Sequence, residues 1–171
     1  ITPLSPLIKA PKSALKEAID LNVMVPIYLM QELSSFFLPI TRVLFMGSDY
    51  VSTNKTFRPG LSGAYAISKI ALKTAVEYFR HETESQPLVG YLNPGATNTL
   101  MCATMFSELN KRGVTPTVKL SDPTHVALFI KAVLENTSSG SYSKTDWDYR
   151  DNNHHQQIEK ESVQPKLFAK L

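Results

Sequence analysis

Tyr65 and Lys69 stand four residues apart in the small, apolar run GAYAISKIALK, residues 63 to 73. That spacing puts both side chains on one face of a helix, so both can reach one ligand. A phenol ordinarily titrates near ~10, and a neighbouring ammonium favours the phenolate. The pair is therefore a candidate proton donor and acceptor near neutral pH. Tyrosine and lysine at this spacing also occur on ordinary amphipathic helices, so the pair needs company before it means chemistry.

Three further features supply it. Ser48 follows a short apolar run and could hold a substrate oxygen beside the tyrosine; Ser52, slightly further along, competes for the role. Asn22 lies four residues before Pro26, which has no N–H, so the Asn22 carbonyl loses its normal helical partner. A buried carbonyl in that position calls for a substitute such as ordered water. The turn NPGATNT, residues 93 to 99, closes a second apolar run.

The elements that must position these groups alternate. A helix is predicted from Ser13 to about Phe37, interrupted at Pro26, and a buried strand over 41 to 48. A loop rich in turn formers follows, then a helix from about Ser62 to Glu82 and a second buried strand over 87 to 92. Residues 96 to 120 read as a flap with a short helix. Asp122 and Pro123 mark another helix start, SSGSYSKTDW a last strand, and the polar segment from Asp151 a weakly ordered tail. This alternation predicts an α/β fold, a parallel sheet flanked by helices, with the ligand outside the carboxyl ends of the strands. Residues 1–150 form one domain on this reading, and 151–171 the tail.

Composition narrows the function classes. The chain has 171 residues, 43% apolar and 19% charged, and a net charge of +3. The basic residues are scattered, which argues against a nucleic-acid partner. No run has transmembrane length, so no membrane partner is expected. Cys102 is the single cysteine and leans toward a reducing compartment, the cytoplasm. His154 and His155 sit in the polar tail without a second ligand set, so no metal site is expected.

Asn22, a strand ending in Ser48, then YAISK, then NPGATNT, in that order, resemble the catalytic half of the short-chain dehydrogenase/reductase family over residues 1 to about 135. The resemblance implies a partial, Rossmann-like doubly wound parallel sheet. It implies that Tyr65 exchanges a proton with the substrate oxygen, that Lys69 lowers the tyrosine's pKa and holds the nicotinamide ribose, and that Ser48 polarises the carbonyl. Asn22 would hold a relay water through its main chain. Pro94 and Gly95 would pass close to the nicotinamide, with Thr97 and Thr99 beside the cofactor, NAD or NADP. Met101 and Met105 could line a substrate pocket or pack the flap down. The substrate would be a small carbonyl or alcohol, and the full-length protein a homodimer or homotetramer.

Two departures accompany the resemblance. No glycine-rich G-x-x-x-G-x-G turn precedes Asn22, and the chain opens on Ile1 within a loop, so it reads as the C-terminal portion of a longer enzyme lacking on the order of 90 residues. These residues alone are then expected to bind dinucleotide weakly and to be inactive. A non-catalytic association module is the alternative. Ser48 and Tyr65 are also 17 residues apart, more than the family usually shows.

Overall fold

Pro26 shapes the first helical segment. In the computed structural model, which describes residues 5–51, 62–83 and 86–162, the helix expected over 13 to 37 forms in pieces. Helix α1 (Lys12–Ile19) starts directly after Pro11 and buries Ala14 and Ala18, one turn apart. A π turn over Asp20–Met24 follows, in which the Val25 N–H reaches back to the Asp20 carbonyl, and α2 (Val25–Leu33) continues with Pro26 in its first turn. A proline cannot donate to the residue four back, and the chain absorbs that loss by widening one turn instead of breaking. Asn22 sits in the widened turn.

Three strands pair in parallel in the order β1 (Arg42–Met46), β2 (Leu88–Asn93), β3 (Asp146–Asp148). Parallel neighbours need crossovers, and helices supply them. Helix α3 (Gly63–Glu82) connects β1 to β2. The connection from β2 to β3 runs through α4 (Leu100–Lys111), α5 (Pro123–Asn136) and α6 (Ser139–Lys144). Side chains alternate across β2, and each set finds a layer. Val89 and Tyr91 pack with Phe45, Met30 of α2, and Leu72 and Val76 of α3. Leu88 and Leu92 face Phe129 and Val133 of α5, Tyr142 of α6 and Trp147 of β3. Gly90 lies on this second face because Tyr142 and Leu44 leave no room: a Cβ there would meet them at 2.8 and 2.9 Å. The result is a doubly wound α/β sheet, the partial Rossmann-like fold.

Three expectations are corrected. The segment 100 to 118 is more regular than a flap: α4 has 12 residues, and Thr99 at its start accepts a hydrogen bond from the Cys102 N–H. SSGSYSKTDW is not all strand. Ser138 accepts the Ser141 N–H and starts α6, whose Tyr142 is fully buried under the sheet, so only Asp146–Asp148 reaches the ladder. The tail, finally, is a helix over Asn152–Glu161, α7, capped by the Asp151 side chain. Its single large apolar residue, Ile158, is fully buried. The His154 and His155 rings serve as packing and bonding groups: His154 Nδ1 accepts the Asp148 N–H at 2.9 Å, and His155 lies 4.6 Å from the Phe129 ring. One isoleucine and two imidazoles dock a helix whose composition is otherwise polar, and composition alone does not report that. Residues 163–171 lie outside the described residues.

Among the described residues no helix is long and apolar enough to cross a membrane.

Candidate active site at the strand ends

A cavity of about 480 Å³ opens at the carboxyl ends of β1 and β2. Asn22 reaches it from the π turn, Ser48 from the end of β1, and Tyr65 from the first turn of α3. Pro94, Gly95, Thr97 and Thr99 form another wall, and Met101 and Met105 of α4 a third. The fold thus brings together around one space every residue singled out from the sequence except Lys69. Ser52 lies outside the described residues, so of the two serines weighed for the role only Ser48 is seen at the site.

Each position has a local cause. The Gly47 N–H extends the ladder to the Leu92 carbonyl at 2.6 Å, so Ser48 emerges where pairing stops. Position 47 must be bare, since a Cβ would fall 2.3 Å from Cζ of Tyr91. Burial pushes the Tyr91 phenol up to about 12. Gly95 has φ +68°, a left-handed conformation that glycine tolerates, and its N–H donates to Asn93 Oδ1 at 3.0 Å. The loop beyond is pinned where Asn98 N–H donates to the Ser121 carbonyl and Ser121 N–H to the Ala96 carbonyl.

Burial raises the Tyr65 phenol above its ordinary value; the nearby Ser48 hydroxyl offsets only part of that, and Tyr50, Cys102 and Asp49 push it up further. Lys69 lies one turn further along α3. Its buried ammonium donates to the Met46 carbonyl at 3.0 Å and sits 5.8 Å from the centre of the Tyr65 ring. It faces a second hollow of about 360 Å³ between α2 and β1, and burial lowers its own pKa. In this arrangement the lysine is bonded to a strand carbonyl and does not line the cavity.

Four features escape sequence reasoning. Ser68, fully buried, receives the Asn22 Nδ2–H at 3.0 Å and donates to the Tyr65 carbonyl at 2.8 Å, tying the π turn to the tyrosine's own helical turn. Tyr50 packs edge-on to Tyr65, ring centres 5.7 Å apart, and its N–H donates to Ser48 Oγ at 3.3 Å. Cys102 is buried on the α4 wall. Beneath the site, Asn93 Nδ2 bridges Asp49 at 2.6 Å and Asp148 at 2.9 Å, and Arg150 ion-pairs with both aspartates while lying over Gly95. This network joins the ends of all three strands. Burial alone would raise Asp148, but the bonds from Arg150 and Asn93 outweigh it and hold the carboxyl below its usual value. A spacing of 101 residues between Asp49 and Arg150 leaves no sequence signal for it.

No family model matches the chain, and no curated protein matches it. Solved structures do. A short-chain dehydrogenase family protein from Francisella tularensis subsp. tularensis SCHU S4 superposes with a TM-score of 0.69 at 19% identity, over 90% of this chain and 66% of that one. A short-chain dehydrogenase from Shigella flexneri 2a str. 301, complexed with NADP, gives 0.65 at 21% identity, over 87% and 59%. A 4-hydroxyisoleucine dehydrogenase mutant complexed with NADH and succinate gives 0.65 at 18%, over 86% and 61%. The fold is thus that of the short-chain dehydrogenases, and the chain spans about three fifths of the length of these structures.

Proposed function

We propose that these residues form the acid/base part of an oxidoreductase of the short-chain dehydrogenase/reductase type, acting on a small carbonyl or alcohol with NAD or NADP. The observation that carries the reading is the convergence of Ser48 and Tyr65 on one cavity at the carboxyl ends of parallel strands. A nicotinamide cofactor, when bound, would supply the hydride. Tyr65 holds the proton and delivers it to the substrate oxygen, and Ser48 orients that oxygen and stabilises the phenolate left behind. In oxidation both steps reverse. Asn22, held through Ser68, keeps the turn beneath Tyr65 in place.

The residues present fit the nicotinamide end of a dinucleotide. Gly95 offers bare backbone in a left-handed turn at the cavity wall, and Pro94, Thr97 and Thr99 flank it. Lys69 would hold the ribose after leaving the Met46 carbonyl. The seven glycines include no G-x-x-x-G-x-G spacing for a pyrophosphate. These 171 residues alone are accordingly expected to bind dinucleotide weakly, and tight NAD(P)H binding in a fluorescence titration would overturn that part. In the full-length protein, Tyr65→Phe is expected to abolish NAD(P)H-linked carbonyl reduction and to leave cofactor binding nearly unchanged. Turnover that survives the substitution removes Tyr65 from the mechanism.

A second reading has its own observation. Tyr28, Leu29 and Leu33 of α2 and Ile70 and Tyr78 of α3 are between 41% and 64% exposed, a surface suited to association of copies as a homodimer or homotetramer. The same surface would serve a non-catalytic association module. Turnover with the Tyr65 dependence just described separates the two. Cys102 is a free thiol, in keeping with a reducing, cytoplasmic setting.

A further inference from the structure

We infer that the cavity selects a flat, neutral aryl ketone or aldehyde and discriminates against carbonyl compounds that carry an anionic group. This rests on the assignment of Ser48 and Tyr65 to the carbonyl oxygen, and it concerns what lies beyond that oxygen.

The Tyr50 ring stands at right angles to the Tyr65 ring. Its hydroxyl is 3.4 Å from Met105 Sδ and 3.5 Å from Ser62 Oγ, so the ring is held between α3 and α4. With Tyr65, Met101 and Met105 it gives the cavity two aromatic faces and two thioethers. Thioethers adapt to flat apolar ligands and contact ring edges favourably. The mouth is apolar too: Leu21 is 65% and Met101 46% exposed, both lining the cavity and unspent in the core. Ser48 and Tyr65, the groups assigned to the ligand oxygen, both line the cavity. Among the described residues, the charged side chains in the lining, Glu17 and Asp49, are both carboxylates. Arg150, which pairs with Asp49, is shared between Asp49 and Asp148. An anionic substituent would therefore meet like charge, whereas a neutral ring would pack against the Tyr50 and methionine lining.

The test uses the 171-residue chain and equilibrium dialysis, which requires no turnover. 2-Acetylnaphthalene is expected to bind, and 6-acetyl-2-naphthoate, the same skeleton with one carboxylate, to bind about tenfold more weakly. Tyr50→Ala is expected to weaken binding of the neutral ketone about tenfold, and Tyr50→Phe to keep it within about twofold, since the ring remains. Met101→Asp, at an exposed position that tolerates substitution, should weaken it comparably and covers the case in which Tyr50→Ala fails to fold. Equal affinity for the ketone and the naphthoate, or unchanged ketone binding in both Tyr50→Ala and Met101→Asp, overturns the inference. A ketone that binds with this pattern but is never reduced by the full-length protein breaks the oxidoreductase reading and leaves the pocket assignment standing. A ketone reduced through Tyr65 without dependence on Tyr50 or Met101 does the reverse.

Discussion

On the side of the sheet covered by α5, α6 and α7, Trp147, Tyr142, Phe129 and Ile158 are fully buried. On the side covered by α2 and α3, Met30, Leu72 and Val76 are buried, but Tyr28, Leu29 and Leu33 of α2 stay about half exposed beside a hollow of about 360 Å³. The first side also ties strand to helix through Arg42, which donates to the Leu134 and Thr137 carbonyls at 2.8 and 2.6 Å at the end of α5, whereas Arg80 of α3 pairs with Asp146 at 2.9 Å on the second side. The candidate site draws its reactive groups from the second side, on α3 and the π turn. The contrast separates two tasks. The closed side holds the strand ends in place, while the open side supplies Tyr65, Lys69 and Asn22 from elements whose apolar surface is only partly used.

The contrast can be broken most forcefully at Trp147. Trp147→Ala empties the closed core and is expected to cost about 3–5 kcal/mol, read by urea unfolding followed by far-UV circular dichroism. A cost below about 1 kcal/mol would mean that this core is not what holds the sheet.

Arg80→Met comes next. The guanidinium is 12% exposed, pairs with Asp146 and Glu77 and donates to the Val89 carbonyl at 3.2 Å. Its loss should cost roughly 2–3 kcal/mol, less than a fully buried pair because its partners are more exposed. A variant as stable as the parent would reduce the pair to decoration of the surface.

Acid should act through the strand-end network. Asp148 has a folded-state pKa below its unfolded value, so its contribution is fully present above about 3.9 and disappears as pH falls through the lower, folded value. Asp148→Asn is expected to lower stability at neutral pH by about 1 kcal/mol and to flatten its acid dependence below about pH 4. Parallel acid-unfolding curves for variant and parent would show that the Arg150 and Asn93 bonds do not stabilise the carboxylate.

The smallest effect belongs to the open side. Leu33, 45% exposed, should accept Glu within about 0.5 kcal/mol of the stability of the monomer, and the substitution should weaken self-association measured by analytical ultracentrifugation. A loss as large as that at Trp147 would erase the distinction between the two sides.

Much of this was legible before folding because its causes are local. Pro11 and Pro26 bound and distort the first helices, Asp122 and Pro123 begin α5, and the apolar runs around Val43 and Val89 form the central strands. The four-residue spacing of Tyr65 and Lys69 places them on one helical face whatever surrounds it. Segments whose order rests on distant partners were misread. In α7, Glu161 accepts the Ser138 N–H and the Ser141 hydroxyl, both at 2.6 Å, and Ile158 finds its pocket only after α5 is in place.

The amino-acid sequence by itself determined the α/β alternation, the helix starts and the residue types that meet at the strand ends, because periodicity, capping and proline geometry act over a few residues. Only the tertiary structure decided where those groups point. Asn22 and Ser68, 46 residues apart, meet through α1 and α3, and Asp49 and Arg150 meet across the ends of the sheet. Lys69 turns to the Met46 carbonyl instead of to the cavity because a buried ammonium takes the acceptor within reach, and which acceptor that is depends on how α3 crosses β1.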